Sequence, residues 1–232
     1  MSDGMELLWI VVFVVVGAPL GAAFVLWKQM KAFGRPDLAL KPANQSRHGK
    51  AMADSQSHDA WFVSQGFDIV ACSTLNAMGN VLITAWQHRE RPTYICIYHI
   101  ANQRNYDIVT RFNSDIALTT GSTADGMLLP EPPGCYTQCF PKTPLTKMWQ
   151  KHAEAEEFLM GEGASLATDS KPFAEVFVEA LQEHSAYVQT IPFWPLRGLY
   201  WYVVRRGQLS GKTVQQLTVA GVYRRPSELL LG

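Results

Sequence analysis

The sequence has no excess of charge of either sign. Twenty Lys and Arg residues balance twenty Asp and Glu residues, so the formal net charge of the 232-residue chain is zero. Nucleic-acid-binding domains generally carry a basic patch or stripe. The charge balance therefore argues against a broad nucleic-acid-binding surface, and no nucleic acid is expected as a partner.

Cysteine is also scarce, with only Cys72, Cys96, Cys135 and Cys139. The last two form a C-x3-C pair, which is not the usual zinc or thioredoxin spacing, and no second Cys or His pair stands close by. In an extended segment, residues four apart point to the same side. We expect both thiols to be buried together in the core; a thiol-dependent active site at Cys135 and Cys139 is the alternative.

What the sequence does contain is a long apolar run, Leu7 to Trp27, without a charged side chain. As a helix, its 21 residues would extend about 31 Å, which matches the hydrocarbon core of a bilayer. Trp9 and Trp27 stand near its ends, where indole rings favour the headgroup level. The run predicts a transmembrane helix. Its small residues, Gly17 and Gly21 among them, would allow a homo-oligomer to form through the anchor helix.

Basic residues follow the apolar run, beginning with Lys28 and Lys31, whereas the segment MSDGME before it has no Lys or Arg. The positive-inside rule predicts a single-pass membrane protein with its N-terminus outside and its C-terminal domain cytoplasmic. Lys28 and Lys31 are expected to contact anionic headgroups. A cleaved secretory signal is the alternative, although such signals begin with a basic segment.

The composition divides the chain into three parts. Residues 1–29 form the predicted transmembrane anchor. A flexible basic linker is predicted over 30–57, because GRPD, KPANQSRHGK and ADSQS show no apolar period. Residues 58–232 are long enough for one cytoplasmic domain with its own core.

Five β-rich runs separated by short turns lie between Phe67 and Gly121. Connections of two to five residues make neighbouring strands antiparallel, so the runs predict a β-meander. The run from Thr93 to Ile100 is apolar on both sides and is expected to be a central strand, covered on both faces. A further short strand is predicted from Tyr136 to Phe140.

Two amphipathic helices are predicted after the strands. The first is capped by Thr143, has Pro144 at its first position and ends before Gly161. The second carries an apolar stripe from Phe173 to Val188. Both are expected to cover one face of the sheet. The predicted fold class is α+β, with an N-terminal single transmembrane helix followed by an antiparallel β-meander sheet covered by two or three helices.

An aromatic segment from Ile191 to Gly207 holds five aromatic residues and three charges. Two interpretations are open. The segment is a core element of the domain, or it lies in the bilayer interface. In the second case Trp194 and Trp201 would be at headgroup level, with Arg205 and Arg206 on anionic lipid.

His99 and Asp107 are candidates for an acid–base pair. If Ala101 to Asn105 forms a loop, His99 faces Asp107 across two strands. A His–Asp pair can support base catalysis, but the sequence offers no evident nucleophile beside it. A structural pair is the alternative.

His152 and His184 lie on the apolar stripes of the two predicted helices. If both helices covered one face of the sheet, the two side chains could meet there and bind a metal. Hydrogen-bonded core histidines are the alternative, and no metal or cofactor is expected.

A loop after the fifth strand is rich in hydroxyl groups and glycine. It could hold an anion through its backbone amides, although it lacks the G-K-[ST] ending of a phosphate loop and the G-x-G-x-x-G of a dinucleotide site. A capped tight turn explains it equally well. The candidate residues are Thr120, Gly121, Ser122, Thr123 and Asp125.

Taken together, these features predict a membrane-tethered cytoplasmic domain with a non-enzymatic binding or scaffolding role toward a protein, a lipid or a small ligand. Its expected partners are the lipid bilayer and a protein. The alternatives are a membrane-anchored hydrolase or thiol-dependent enzyme, and an accessory subunit of a membrane complex.

Overall fold

The computed structural model describes residues 17–44, 49, 53, 59–78, 81–100, 103–127, 129–168 and 171–230. Its architecture is mixed α+β, as predicted, with one seven-stranded sheet and helices on both faces. The strands are β1 (Leu40–Pro42), β2 (Phe67–Leu75), β3 (Val81–His88), β4 (Thr93–Ile100), β5 (Gln103–Arg111), β6 (Ala117–Gly121) and β7 (Cys135–Cys139). The helices are α1 (Ala18–Phe33), α2 (Asp59–Ser64), α3 (Leu145–Gly161), α4 (Phe173–Thr190), α5 (Trp194–Tyr200), α6 (Arg206–Leu209), α7 (Val214–Val219) and α8 (Pro226–Leu230).

The strands lie in the sheet in chain order, from β1 to β7. Neighbours from β1 to β6 are antiparallel, and from β2 onward the short connections require it. Strand β7 instead runs parallel to β6, and the connection between them covers residues 122–134. That connection is long because parallel strands start at the same end of the sheet, so the chain must cross back along the sheet before β7 begins.

Helices α3 and α4 cover opposite faces of the sheet, so the prediction that both lie on one face was wrong. Ile95 and Ile97 of β4 pack with Met148 of α3. The alternate residues of β4, among them Tyr94, pack with Phe173 of α4. A strand that is apolar on both sides needs cover on both, because successive side chains point to opposite faces.

Helix α1 begins within the predicted anchor and ends inside the folded domain. Met30 and Phe33 are buried in the core. Residues 7–16 of the predicted anchor lie outside the described residues. Among the helices that the structure describes, none combines the length and the apolar character needed to cross a bilayer.

The predicted linker over 30–57 contains regular structure in its described part. Leu40–Pro42 forms β1, which pairs with the end of β2. Leu40 is the register partner of Leu75, and Pro42 is the register partner of Ser73. This part of the chain is therefore held against the sheet.

The aromatic segment forms one helical stretch over 194–209, in which α5 and α6 are joined by a wider π-helical turn, Trp201–Arg205. Trp194 is buried in the same core cluster as α1 and α4. The opposite side of the stretch is exposed, as the side chains of Leu196, Tyr200 and Val203 show. The buried side is a core element, and the interfacial interpretation stays a prediction for the exposed side.

The two edges of the sheet are protected to different degrees. Strand β1 is only three residues long, pairs with the last three residues of β2 and ends in Pro42, which has no N–H to donate. At the other edge, the Tyr223 hydroxyl accepts from the Thr137 N–H at 3.1 Å and donates to the Thr137 carbonyl at 2.7 Å. The Gly211 N–H donates to the Cys139 carbonyl at 2.7 Å.

Candidate ligand-binding cavity

A cavity of about 700 Å³ lies between the sheet and helix α4. Its floor is the face of the sheet that carries Tyr94, Cys96 and Tyr98 of β4. The C-terminal half of α1 closes one end, and the loop before β7 forms a side wall. The volume falls within the range of small-molecule pockets in proteins.

Strand periodicity decides which residues reach the cavity. In β5, Asp107, Val109 and Arg111 line it, whereas Ile108 and Thr110 point to α3. In β7, Cys135 and Thr137 line it in the same alternating manner. The sheet thus presents a row of polar side chains to one compartment and packs its other face as a core.

One part of the cavity wall is apolar and aromatic. The Tyr94 and Phe173 ring centroids are 5.9 Å apart, and those of Tyr98 and Phe177 are 6.4 Å apart. Leu26, Met30 and Phe33 of α1 add aliphatic and aromatic surface. A ligand in this part would lose contact with water along its apolar groups.

Asp107 is the central polar group of the cavity. Loss of surrounding water raises the pKa of its carboxyl to about 6; a hydrogen bond from the Tyr98 hydroxyl acts in the opposite direction, and the charge of Glu131 raises it further. Burial also raises the pKa of Tyr98, so the phenol keeps its proton and remains a donor. Gly121, the register partner of Asp107, leaves room for the carboxylate: a Cβ there would lie 3.0 Å from its Oδ1.

Glu131 is a second carboxylate on the cavity wall. Burial raises its pKa, while the nearby His184 and a hydrogen bond from Thr137 lower it. The Thr137 hydroxyl donates to Glu131 Oε1 at 3.1 Å. His184 Nε2 lies 3.0 Å from the Pro130 carbonyl, which can only accept, so this nitrogen carries the hydrogen.

The predicted pairing of His99 with Asp107 was wrong. In the structure His99 is the register partner of Arg104, and Asp107 is the partner of Cys96. Ile100 pairs with Gln103, which leaves two residues between the strands instead of the five assumed. The register differs by three residues, and an odd shift moves a side chain to the other face of the sheet.

Cys135 and Cys139 lie on the same side of β7, as the extended-strand argument requires, but they are not buried together. Cys135 is half-buried and lines the cavity, whereas Cys139 is buried with Met127 and Leu209. All four cysteines are thiols. Burial raises the pKa of Cys135 to about 12 and raises that of Cys96 as well. A thiolate nucleophile is therefore disfavoured at Cys135.

His152 belongs to a buried network on the opposite face of the sheet. Its Nε2 lies 2.9 Å from the Thr110 hydroxyl, and its Nδ1 lies 2.8 Å from the Thr120 hydroxyl. The Thr110 hydroxyl donates to Glu156, so His152 Nε2 donates to Thr110. In a neutral ring Nδ1 is then the acceptor, and Thr120, which accepts from Gln138 at 2.9 Å, donates to it. Burial lowers the pKa of His152, in agreement with a neutral ring.

Glu156 completes this network. Burial raises its pKa, but hydrogen bonds from His152 and Thr110 and the charge of Arg91 bring it below its ordinary value. Arg91 and Thr110 both donate to its carboxylate.

His152 and His184 are therefore separated by the sheet and cannot share a metal. The described ranges contain no cluster of three or more His, Cys, Asp or Glu side chains placed to hold one.

The hydroxyl-rich loop divides between the two faces. Thr120 joins the His152 network, and Ser122 accepts from the Tyr106 N–H at 2.7 Å. Thr123 lines the cavity, and Gly121 lies beside Asp107. The side chain of Asp125 is outside the described part. These positions support a capped turn at the cavity wall rather than a separate anion site.

The residues predicted at the membrane interface are distributed unevenly. Trp9 lies outside the described residues. Trp194 is buried in the core, and the half-buried Trp201 donates its indole N–H to the Met127 carbonyl at 2.9 Å. The Trp194 ring therefore faces the domain, and the placement of Trp201 at headgroup level stays a prediction. Trp27 is half-buried with Lys31 above its ring at 4.3 Å. Lys28 is exposed, and Arg205 and Arg206 lie over the rings of Trp201 and Tyr202.

Sequence reasoning missed Glu131, Tyr98 and His184 as members of one site. Glu131 comes from a proline-rich loop, Tyr98 from an apolar strand and His184 from a helix. The alternation in β4 and β5 was the available signal, since it places Tyr98 and Asp107 on one face once the two-residue connection is recognised.

No protein-family model, no curated protein and no solved structure matches the chain.

Proposed function

We propose that this chain is a membrane-tethered binding domain whose cavity takes a small amphipathic molecule with a cationic, amine-type polar group. The observation that carries the proposal is the pair of carboxylates, Asp107 and Glu131, on the wall of one half-apolar cavity. Desolvation raises the pKa of both carboxyl groups, and the charge of Glu131 raises the pKa of Asp107 further. A bound cation would relieve both effects.

The shape of the cavity supports a ligand with an apolar part. The aromatic pair of Tyr94 and Phe173 and the α1 side chains Met30 and Phe33 face the same space as the carboxylates. An organic amine with a short chain or ring would place its ammonium near Asp107 and its hydrocarbon part against these side chains. The ionic contact and the apolar contact are both needed, because two carboxylates without a bound cation are more stable in water than in a desolvated cavity.

The tether is part of the proposal. It rests on the uncharged run from Leu7 to Trp27 and on the bases after it, which favour a cytoplasmic domain and an N-terminus outside. An anchored thiol enzyme is less favoured, since the raised pKa of Cys135 disfavours its thiolate. An anchored hydrolase built on His99 and Asp107 would need two side chains that lie on opposite faces of the sheet.

The test compares n-hexylamine, n-hexanol and n-hexanoate as probes of the full chain in detergent, by calorimetry at pH 7.5. We expect hexylamine to bind at least about tenfold more tightly than hexanoate, because one ionic contact in a partly desolvated site contributes about 1.4 kcal/mol or more. The affinity for hexylamine should rise with pH through about 6, as Asp107 loses its proton.

Charge-removing variants make this test specific. Asp107→Asn and Glu131→Gln should each weaken hexylamine about five- to tenfold and leave hexanol unchanged. Glu157→Gln is the matched control, because Glu157 is exposed on α3, across the sheet from the cavity. Hexanoate binding as tightly as hexylamine, or an Asp107→Asn variant with unchanged affinity for the amine, would contradict the proposal.

A further inference from the structure

A second surface of the molecule has no role in the cavity. Helix α1 packs beside α5, and the two helices expose apolar side chains on their outer sides. We call this the helix-pair surface. Its members are Leu20, Phe24 and Val25 of α1, with Phe193, Leu196, Tyr200 and Val203 of the second helical stretch.

The exposed positions of the second stretch follow helical spacing. Phe193, Leu196, Tyr200 and Val203 are three, four and three residues apart, so they form one stripe along the helix. Phe193 is 81% exposed and Val203 is 67% exposed. A continuous apolar stripe facing water is unusual on a monomeric domain and marks an interaction surface.

The stripe is held outward by the packing of the other side. Trp194 is buried in the core, and a Cβ added to Gly198 would lie 2.9 Å from Leu129 Cδ2. The Trp201 indole is hydrogen-bonded to the Met127 carbonyl. The helix cannot rotate its apolar stripe inward without breaking these contacts.

Phe193 supplies an independent observation. Its φ is +54°, in the left-handed region, where a side chain other than Gly or Asn is disfavoured. Its ring gains little from the protein, because it is almost fully exposed. A strained, exposed phenylalanine is therefore a candidate for contact with something outside the domain.

The two helical stretches that form this surface carry charges of one sign. Residues 18–33 and 194–209 contain two Lys and three Arg but no Asp or Glu. The bases are Lys28, Lys31, Arg197, Arg205 and Arg206. Apolar and aromatic side chains with flanking bases are the composition of helices that lie in the headgroup region of anionic membranes.

We infer that the helix-pair surface docks on a bilayer that contains anionic lipid. The proposed tether, the uncharged run from Leu7 to Trp27, includes the first part of α1, so it delivers this surface to the membrane; this step rests on the proposed tether. A second copy of the chain is a poorer occupant, because two such surfaces would bring like charges together. The apolar stripe then enters the headgroup region, and the bases contact lipid phosphates.

The experiment measures immersion depth in the full chain reconstituted into vesicles. Spin labels are attached at Val203→Cys and at Val219→Cys; Val219 is 78% exposed, against 67% for Val203, and lies on α7. Unmodified chain labelled in parallel gives the background of the native thiols. In phosphatidylserine-containing vesicles, we expect the ratio of oxygen to nickel-chelate collisions at position 203 to be at least about threefold that at position 219. In vesicles of phosphatidylcholine alone the difference should shrink.

Two variants test the cause. Phe193→Asn should lower the immersion of the label at position 203 while the domain stays folded, since asparagine tolerates the left-handed conformation better. Arg205→Gln with Arg206→Gln should remove most of the dependence on anionic lipid. Labels at positions 203 and 219 that are equally accessible to the nickel chelate, or spin–spin coupling between copies at position 203, would overturn the proposal. Hexylamine binding is measured separately, so docking and cavity occupancy can fail independently.

Discussion

At the scale of single residues, Asp107 places an ionisable group where water is restricted. Its carboxyl pKa is about 6 in the folded domain, compared with an ordinary value of 3.8. Between these two values the unfolded chain has released the proton and the folded chain still holds it. The free energy of unfolding therefore falls as the pH rises through this window, and the loss persists at higher pH.

Replacement of Asp107 removes this dependence. We expect Asp107→Asn to raise the free energy of unfolding at pH 7.5 by about 1–2 kcal/mol, because the cavity partly solvates the carboxylate and reduces the full effect of its pKa shift. At pH 4 the variant and the original chain should be nearly equal. Chemical unfolding from pH 4 to pH 8 measures both values.

The surface residue Asp68 provides the control for this prediction. It is exposed and paired with Arg89 at 2.7 Å, and that hydrogen bond lowers its pKa. Asp68→Asn should leave the decline in stability between pH 4 and pH 6 in place. An Asp107→Asn variant whose stability declines as steeply as that of the original chain would show that this carboxyl is not the source.

At the scale of elements, the junction between α1 and α4 joins the start of the chain to the domain. The Ser185 hydroxyl donates to the Met30 carbonyl at 2.7 Å. Gly34 has φ −79°, which alanine tolerates, but a Cβ there would lie 2.7 Å from Ser185 Oγ. Space rather than backbone conformation therefore requires glycine at this position.

A double-mutant cycle tests the close contact of Gly34 with Ser185. Gly34→Ala alone should destabilise the domain by about 1–3 kcal/mol, since the hydroxyl must move and its hydrogen bond weakens. In a Ser185→Ala background the same change should cost at least about 1 kcal/mol less. Thermal unfolding of the four proteins gives the coupling, and strict additivity would show that the two residues do not interfere.

The elements themselves were largely predictable from the sequence. Strand β4 has the predicted bounds, and α3 and α4 begin within one to three residues of the predicted starts, because alternation, helical spacing and Pro are local signals. The pairing of β4 with β5 was not predictable with equal certainty. A polar, turn-like segment fits a two-residue or a five-residue connection, and only packing on both faces decides between them.

The site shows the same division. The sequence pointed to Asp107 and to the turn at Gly121, which lie together in the structure. It assigned Asp107 a histidine partner in place of Tyr98, since the register was shifted. The cavity itself arises from α4 crossing one face of the sheet while α3 covers the other, a tertiary arrangement that local patterns do not contain.

At the scale of the whole molecule, α1 is part of the folded unit. A chain that begins at residue 35 would lose Met30 and Phe33, which are buried, and would open one end of the cavity. Burial of two such side chains contributes about 3–6 kcal/mol, comparable with much of the total stability of a domain. We expect this fragment to bind a hydrophobic dye and to lose hexylamine binding.

A chain that begins at residue 17 is the matched control for this truncation. It lacks only residues outside the described part and keeps α1 intact. It should unfold cooperatively and bind hexylamine with the affinity of the full chain. If the shorter fragment behaves identically, α1 contributes neither to stability nor to the cavity wall.

The capped β7 edge of the sheet limits how copies of this chain can join. The Thr137 N–H and carbonyl are bonded to Tyr223, and the Cys139 carbonyl accepts from Gly211. A partner strand would find few backbone groups to pair with along β7. Fibril growth by strand addition and recognition of extended peptides are therefore disfavoured at this edge of the sheet.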